Sequence, residues 1–222
     1  LPPTFSFISG FIVGPSTDLS GADLSGGDLS GCNIQGADLT NANFYNVRSG
    51  GVQGVPRSPL NAPYAITSNG YVVGNNVNLS GANLASIDMR GFTLSNAIMT
   101  NINFTNAKFG GNFGPPRILT VPYIFVQTVL SGGYVVGPYI DLSGANFSNA
   151  SIASADLTGA NVGNAVFYRT RSGEMNAAGV PSALTPNYSI MPTTLSGGYL
   201  VGPDVNLNDA NFTDSEFKNR NI

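Results

Sequence analysis

Between residues 17 and 46 the chain repeats every five residues without an insertion: TDLSG-ADLSG-GDLSG-CNIQG-ADLTN-ANFYN. Each group opens on a small residue, continues with a carboxylate or amide, and places a large apolar side chain third. A polar residue usually follows, and Gly or Asn closes the group. A period of five matches neither the 3.6-residue repeat of an amphipathic helix nor the two-residue alternation of an ordinary strand. Repetition at a fixed period points instead to units that stack and bury a continuous core between them.

Three further blocks carry the same pattern, at residues 77–111, 140–169 and 205–222. Their third positions form a candidate core ladder. It comprises Leu19, Leu24, Leu29, Ile34, Leu39 and Phe44, then Leu79, Leu84, Met89, Leu94, Met99, Phe104 and Phe109. It continues with Leu142, Phe147, Ile152, Leu157, Val162 and Phe167, and ends with Leu207, Phe212 and Phe217. A longer repeat contains the blocks. The segment FIVGP at Phe11 returns as YVVGN at Tyr71, YVVGP at Tyr134 and YLVGP at Tyr199, at spacings of 60, 63 and 65. These four aromatics mark supra-repeats at roughly 11–70, 71–133, 134–198 and 199–222. The last is partial, and residues 1–10 read as the end of a preceding one. The connectors between blocks carry Gly-containing turns, then prolines, then Tyr64, Tyr123 or Tyr188. One uncharged stretch, residues 118–140, is long enough to span a bilayer. Pro122, Gly132, Gly133 and Pro138 interrupt it, and its counterparts in the other connectors are not spans, so no membrane crossing is expected.

Groups of this composition, six in a row, resemble the pentapeptide-repeat proteins. The resemblance implies an all-β fold: a right-handed, four-sided parallel β-helix with one five-residue group per side and four groups to each coil. The whole chain, 1–222, would be a single β-solenoid domain of about 11 coils, roughly 50 Å long at the usual interstrand distance. First-position Ala, Val, Thr or Cys would join the third-position ladder inside, and Phe92 at a first position would distort the column locally. Sixty residues would make three coils, placing Phe11 and Tyr71 on the same side, with the 3 and 5 additional residues of the later supra-repeats pushed out as short loops. The connectors would mostly continue the winding, the alternative being separate lobes, and Phe5, Tyr64, Tyr123 and Tyr188 would cover one side or form a flap.

Composition excludes several functions. Charged residues are 9% of the chain and net charge is −3, from 9 basic and 12 acidic side chains. Arg48, Arg57, Arg117, Arg169 and Arg171 sit in or beside the connectors, not in a patch suited to nucleic acid. There is no histidine, the commonest general base and neutral metal ligand. Cys32, the single cysteine, occupies a first position and reads as a small core residue. Asp18, Asp23 and Asp28 fall on three different sides of a four-group coil, and only Asp18 and Asp38 become neighbours. No nucleophile, base and orienting group occur together. The expectation is a chain that is not an enzyme and has no cofactor and no metal.

What remains is scaffolding. A β-helix exposes unpaired backbone at its ends, and solenoids normally cap them. No amphipathic capping helix is visible, and the sequence enters mid-unit and leaves mid-group at Arg220-Asn221-Ile222. Leu1, Phe5 and Phe7 at one end, with Phe217 and Ile222 at the other, are the candidate end-to-end contacts. The expected partner is another copy of the chain, joined head to tail into a filament, or another protein. Low charge, absent histidine and one buried thiol suit an extracellular, cell-surface or virion component. The family resemblance implies a second reading, a DNA-mimicking rod acting on a type II topoisomerase, which the Asn-, Ser- and Thr-rich faces and small net charge oppose. A third is a monomeric protein-interaction scaffold.

Overall fold

A computed structural model of the protein describes residues 1–176, 179–193 and 197–210. The expectations placed on Phe212, Phe217 and Ile222 lie outside the described residues. All regular structure among the described residues is strand or bridge. No helix among them is long and apolar enough to cross a membrane, and the uncharged stretch at residues 118–140 is taken up by short strands.

The five-residue period has a local cause. The N–H of most first-position residues donates to the third-position carbonyl of the group before it, as in Ala22 to Leu19 (3.0 Å) and Cys32 to Leu29 (3.0 Å). This closes a four-residue turn whose third residue, Gly21 or Gly31, has φ of 68° or 70°. That is the type II turn, which demands Gly or Asn at this position; Asn41 and Asn46 serve at 59° and 54°. The second-position carboxylate caps the same turn, Asp18 Oδ1 accepting from the Ser20 N–H at 3.0 Å.

Successive turns of chain then pair in parallel with an offset of 20. Asp18 bridges Asp38, Asp23 bridges Asn43, Asp28 bridges Arg48 and Asn33 bridges Gln53, four ladders at steps of five. Every third-position residue from Leu19 to Phe167 is buried, and Leu207 is half-buried. The first positions beside them are mostly buried alanines. Each fully buried Leu, Met or Phe contributes about 1.5–3 kcal/mol. Phe92 remains half-buried, and the expected distortion is absent: Thr93 still bridges Phe113 and the Leu94 N–H still donates to Phe113 O at 2.9 Å.

Among the described residues, twelve short strands accompany the bridges. In chain order they are β1 (Ser6–Ile8), β2 (Phe11–Val13), β3 (Ala65–Ile66), β4 (Val72–Val73), β5 (Ile98–Met99), β6 (Ile118–Leu119), β7 (Ile124–Gln127), β8 (Gly133–Val136), β9 (Asn161–Val162), β10 (Ala183–Leu184), β11 (Ser189–Pro192) and β12 (Gly198–Val201). β5 with β6 and β9 with β10 extend the parallel ladders. The other four pairs are antiparallel hairpins, each ending in a marker segment.

The hairpins change the register. Asn78, the counterpart of Asp18 one supra-repeat on, pairs with Arg48 on the Asp28 ladder, at an offset of 30. It does not continue the Asp18–Asp38 ladder. Likewise Asn206, the counterpart of Asp141, pairs with Arg171 on the Ser151 ladder at an offset of 35, whereas Asp141 itself pairs with Asn161. Each supra-repeat therefore advances by two and a half turns plus a hairpin excursion. The expectation of three full coils, with Phe11 and Tyr71 on one side, is corrected on this point.

The chain forms two compact units. The first comprises Leu1–Ile87, Phe92–Asn103 and Phe113–Thr120; the second comprises Asp88–Gly91, Phe104–Asn112 and Val121–Ile222. Hairpins β1–β2 and β3–β4 belong to the first, β7–β8 and β11–β12 to the second.

Candidate interaction surface

The connectors are ordered by aromatic rings seated on the core. Tyr64, Tyr123 and Tyr188 pack against the core phenylalanines Phe44, Phe104 and Phe167 at centroid distances of 5.1, 5.0 and 5.2 Å. Each ring also lies over a glycine of its marker segment. A methyl carbon would stand 2.4 Å from Tyr64 Cδ1 at Gly74, 2.2 Å from Tyr123 Cδ1 at Gly137 and 2.4 Å from Tyr188 Cδ1 at Gly202. Phe5 does the same over Gly14, at 2.1 Å. The connector aromatics thus close over the core at the base of each hairpin.

The marker aromatics have a second task. The rings of Tyr71, Tyr134 and Tyr199 cover Gly50, Gly110 and Gly173. The Tyr71 hydroxyl accepts from the Asn83 N–H at 2.9 Å, and that of Tyr134 from the Asn146 N–H at 3.0 Å. Phe11, half-buried in β2, has no hydroxyl to do so. Sequence reading did not single out Thr67, Thr128 and Thr193. Each opens a hairpin loop: the Thr128 N–H and Oγ1 both reach Gly132 O, at 2.9 and 2.6 Å, and Thr193 repeats this with Gly197 O at 2.8 and 2.7 Å. The available signal was a threonine shortly before the Gly-Tyr of each of these markers, five residues ahead of Gly133 and Gly198 and three ahead of Gly70.

What the hairpins leave outside is apolar. In β1–β2 the turn residues Ser9 and Gly10 both have positive φ, 49° and 89°, the geometry of a two-residue I′ turn. Phe7 and Ile12 are cross-strand partners, and they stand 69% and 48% exposed while Ile8 and Val13 on the opposite face are buried. Of the candidate end-to-end contacts, Leu1 and Phe7 are exposed and Phe5 is held over Gly14. At the β7–β8 loop Val129 and Leu130 are exposed.

Beside the hairpins lie apolar grooves. In the first unit a cavity of 450 Å³ is lined by Val55, Pro56, Pro59, Leu60, Tyr64 and Ile66, with Arg57 at its margin. In the second unit the corresponding connector forms one of 260 Å³ from Val180, Pro181, Leu184, Tyr188 and Ile190.

The carboxylates are committed to their own turns. Hydroxyl and backbone N–H of Ser20, Ser25, Ser30 and Thr40 hold Asp18, Asp23, Asp28 and Asp38 below the usual carboxylate range. Asp88 is drawn down further, to about 2, by the Arg90 guanidinium, whose Nε donates to Asp88 Oδ1 at 2.8 Å. Asp18 and Asp38 are bridge partners, but among the described residues no group of three or more His, Cys, Asp or Glu is placed to hold a metal ion. Burial pushes the Cys32 thiol upward, away from thiolate chemistry. Arg169 lies over the Tyr168 ring at 5.1 Å.

The family model for pentapeptide repeats matches residues 16–48, 75–111 and 139–168, in 8 copies. No curated protein matches the chain.

Proposed function

This chain belongs to the pentapeptide-repeat family, and from that premise we propose that it is a non-enzymatic scaffold that assembles with further copies of itself. Four ladders at five-residue steps, each pairing residues offset by 20, support a four-sided coil, for which the family fold supplies the right hand. The carrying observation is the cross-strand pair Phe7 and Ile12, apolar and solvent-facing at the middle of an ordered hairpin. Apolar surface presented in this way is a contact waiting for a partner. The groove at Val55, Leu60 and Tyr64 is a receptive surface of the same chemistry elsewhere on the first unit. A hairpin entering the groove of the next copy is a heterologous contact, which propagates into a ring or a filament. Such an assembly fits a surface or virion component.

The DNA-mimic reading has less support. Turn-capped aspartates divided among three of the four ladders and a net charge of −3 do not reproduce a phosphate row. Sedimentation velocity across a concentration series, with negative-stain microscopy of the concentrated end, tests the proposal. The expected result is mass growth with concentration that Phe7→Glu with Ile12→Glu abolishes. A monomer at every concentration would overturn self-assembly and leave the scaffold to other partners.

A further inference from the structure

The first unit holds a cleft whose chemistry differs from that of the apolar grooves. It measures 360 Å³ and is lined by Tyr45, Asn46, Asn76, Asn96, Ile98 and Arg117, within the range of small-ligand sites. The three asparagines form a column at the group corners, with φ of 54°, 58° and 58°. Their backbones are engaged with the adjoining turn: the Asn46 N–H donates to Asn76 O at 2.7 Å, Asn76 to Ser95 O at 2.9 Å and Asn96 to Pro115 O at 3.0 Å. Their side chains are not. Among the described residues, none of the three amides, nor the Tyr45 hydroxyl, nor the Arg117 guanidinium has a hydrogen-bond or ion-pair partner.

The column is a product of the register shift, which sets Asn76 over Asn46 where an unbroken ladder would set Ile66. The second unit shows what the same corner looks like when filled. There the Asn106 N–H donates to Tyr139 O at 2.6 Å, and Tyr139 donates to Thr158 O at 2.8 Å. Asn106 and Tyr139 share a φ of 58°. The next corner is Gly159, and the Tyr139 ring lies over it: a methyl carbon on Gly159 would be 2.5 Å from the ring. Asn76 stands in place of Tyr139, and Asn96 in place of Gly159. The amide column is therefore not a requirement of the fold.

We propose that this cleft binds an acidic sugar, a hexuronate unit of a saccharide chain. Side-chain amides both donate and accept, as sugar hydroxyls do, and stacked corners repeat them at about 4.8 Å. The exposed Tyr45 ring offers a face for the C–H surface of a pyranose, with Ile98 beside it. Arg117 is exposed and unpaired, and its fork matches a carboxylate with two parallel bonds. No carboxylate lines the cleft to repel one.

Saturation-transfer NMR and calorimetric titration of the full chain with trigalacturonate, alongside neutral galactotriose, test this site independently of self-assembly. Trigalacturonate is expected to bind and the neutral sugar to bind more weakly. Asn76→Tyr with Asn96→Gly copies the filled corner of the second unit and is expected to abolish transfer from both. Arg117→Gln, an exposed change, is expected to weaken the uronide at least about tenfold, the worth of one charge-assisted pair, and to leave the neutral sugar unchanged. No transfer from either sugar, or transfer that survives the filled corner, would overturn the site. Equal binding of both sugars, indifferent to Arg117→Gln, would overturn its assignment to an acidic sugar.

Discussion

Asn75 stands where the other three marker segments have Pro15, Pro138 and Pro203. Its Oδ1 is buried without a hydrogen-bond partner, and its backbone N–H donates to no acceptor among the described residues. Proline removes both unmet groups and restricts the unfolded chain. Asn75→Pro is expected to stabilise the protein by about 0.5–1 kcal/mol, read as a higher urea midpoint. The aspartates make a second residue-scale statement. Asp88 has a folded pKa of about 2, below the unfolded value near 3.9. Such a group stabilises the fold fully above about pH 4 and loses that contribution as pH falls through the folded value. Its side chain is half exposed, so solvent screening keeps the contribution small. Thermal midpoints should hold from neutrality to about pH 5 and fall toward pH 2. Asp88→Asn should lower the midpoint at neutral pH and flatten the acid decline, with wild type and variant converging near the acid end. An acid decline as steep in the variant as in the wild type would show that Asp88 takes no part in it.

A hairpin here is a ring clamped between a core phenylalanine and a glycine. Tyr123 meets Phe104 edge-on at 5.0 Å and covers Gly137, so Gly137→Ala must drive the ring off its seat. The expected cost is about 1–3 kcal/mol, the range for overpacking a filled site. Tyr123→Ala alone should cost about 3–5 kcal/mol. The double variant should cost less than the two together, because once the ring is gone its clash with the added methyl is gone too. A urea-denaturation cycle measures the coupling, and strict additivity would mean that the two residues do not meet. At this scale the sequence was half legible. The five-residue groups could be read directly, since each fifth-position Gly or Asn serves a turn that needs positive φ, and the third-position ladder followed from the period. The register of the hairpins could not. A spacing of 60 is divisible by 20, so arithmetic favoured three whole turns, while the pairing of Asn78 with Arg48 puts a ten-residue excursion inside one turn. The cleft at Asn46, Asn76 and Asn96 was illegible for the same reason: Asn76 and Asn96 are one turn apart, but Asn46 joins their corner only because that excursion shifts the register.

At the scale of the molecule, low charge decides which force can join copies. With 9 basic and 12 acidic residues in 222, long-range repulsion between copies is weak. Exposed pairs such as Arg171 with Asp209, 3.9 Å apart, contribute little. Exposed apolar side chains at Phe7, Ile12, Val121, Val129 and Leu130 offer a different attraction, one that screening by salt leaves intact. Light scattering of the concentrated protein should therefore change little between roughly 0.05 and 0.5 M NaCl, a range over which the screening length shortens about threefold. It should decrease on cooling, as hydrophobic association does, and rise when sulfate replaces chloride. Phe7→Glu with Ile12→Glu should suppress scattering at every salt concentration. If scattering instead drops steeply with NaCl and persists in that variant, charged loop contacts hold the copies together and the β1–β2 hairpin is not the joint.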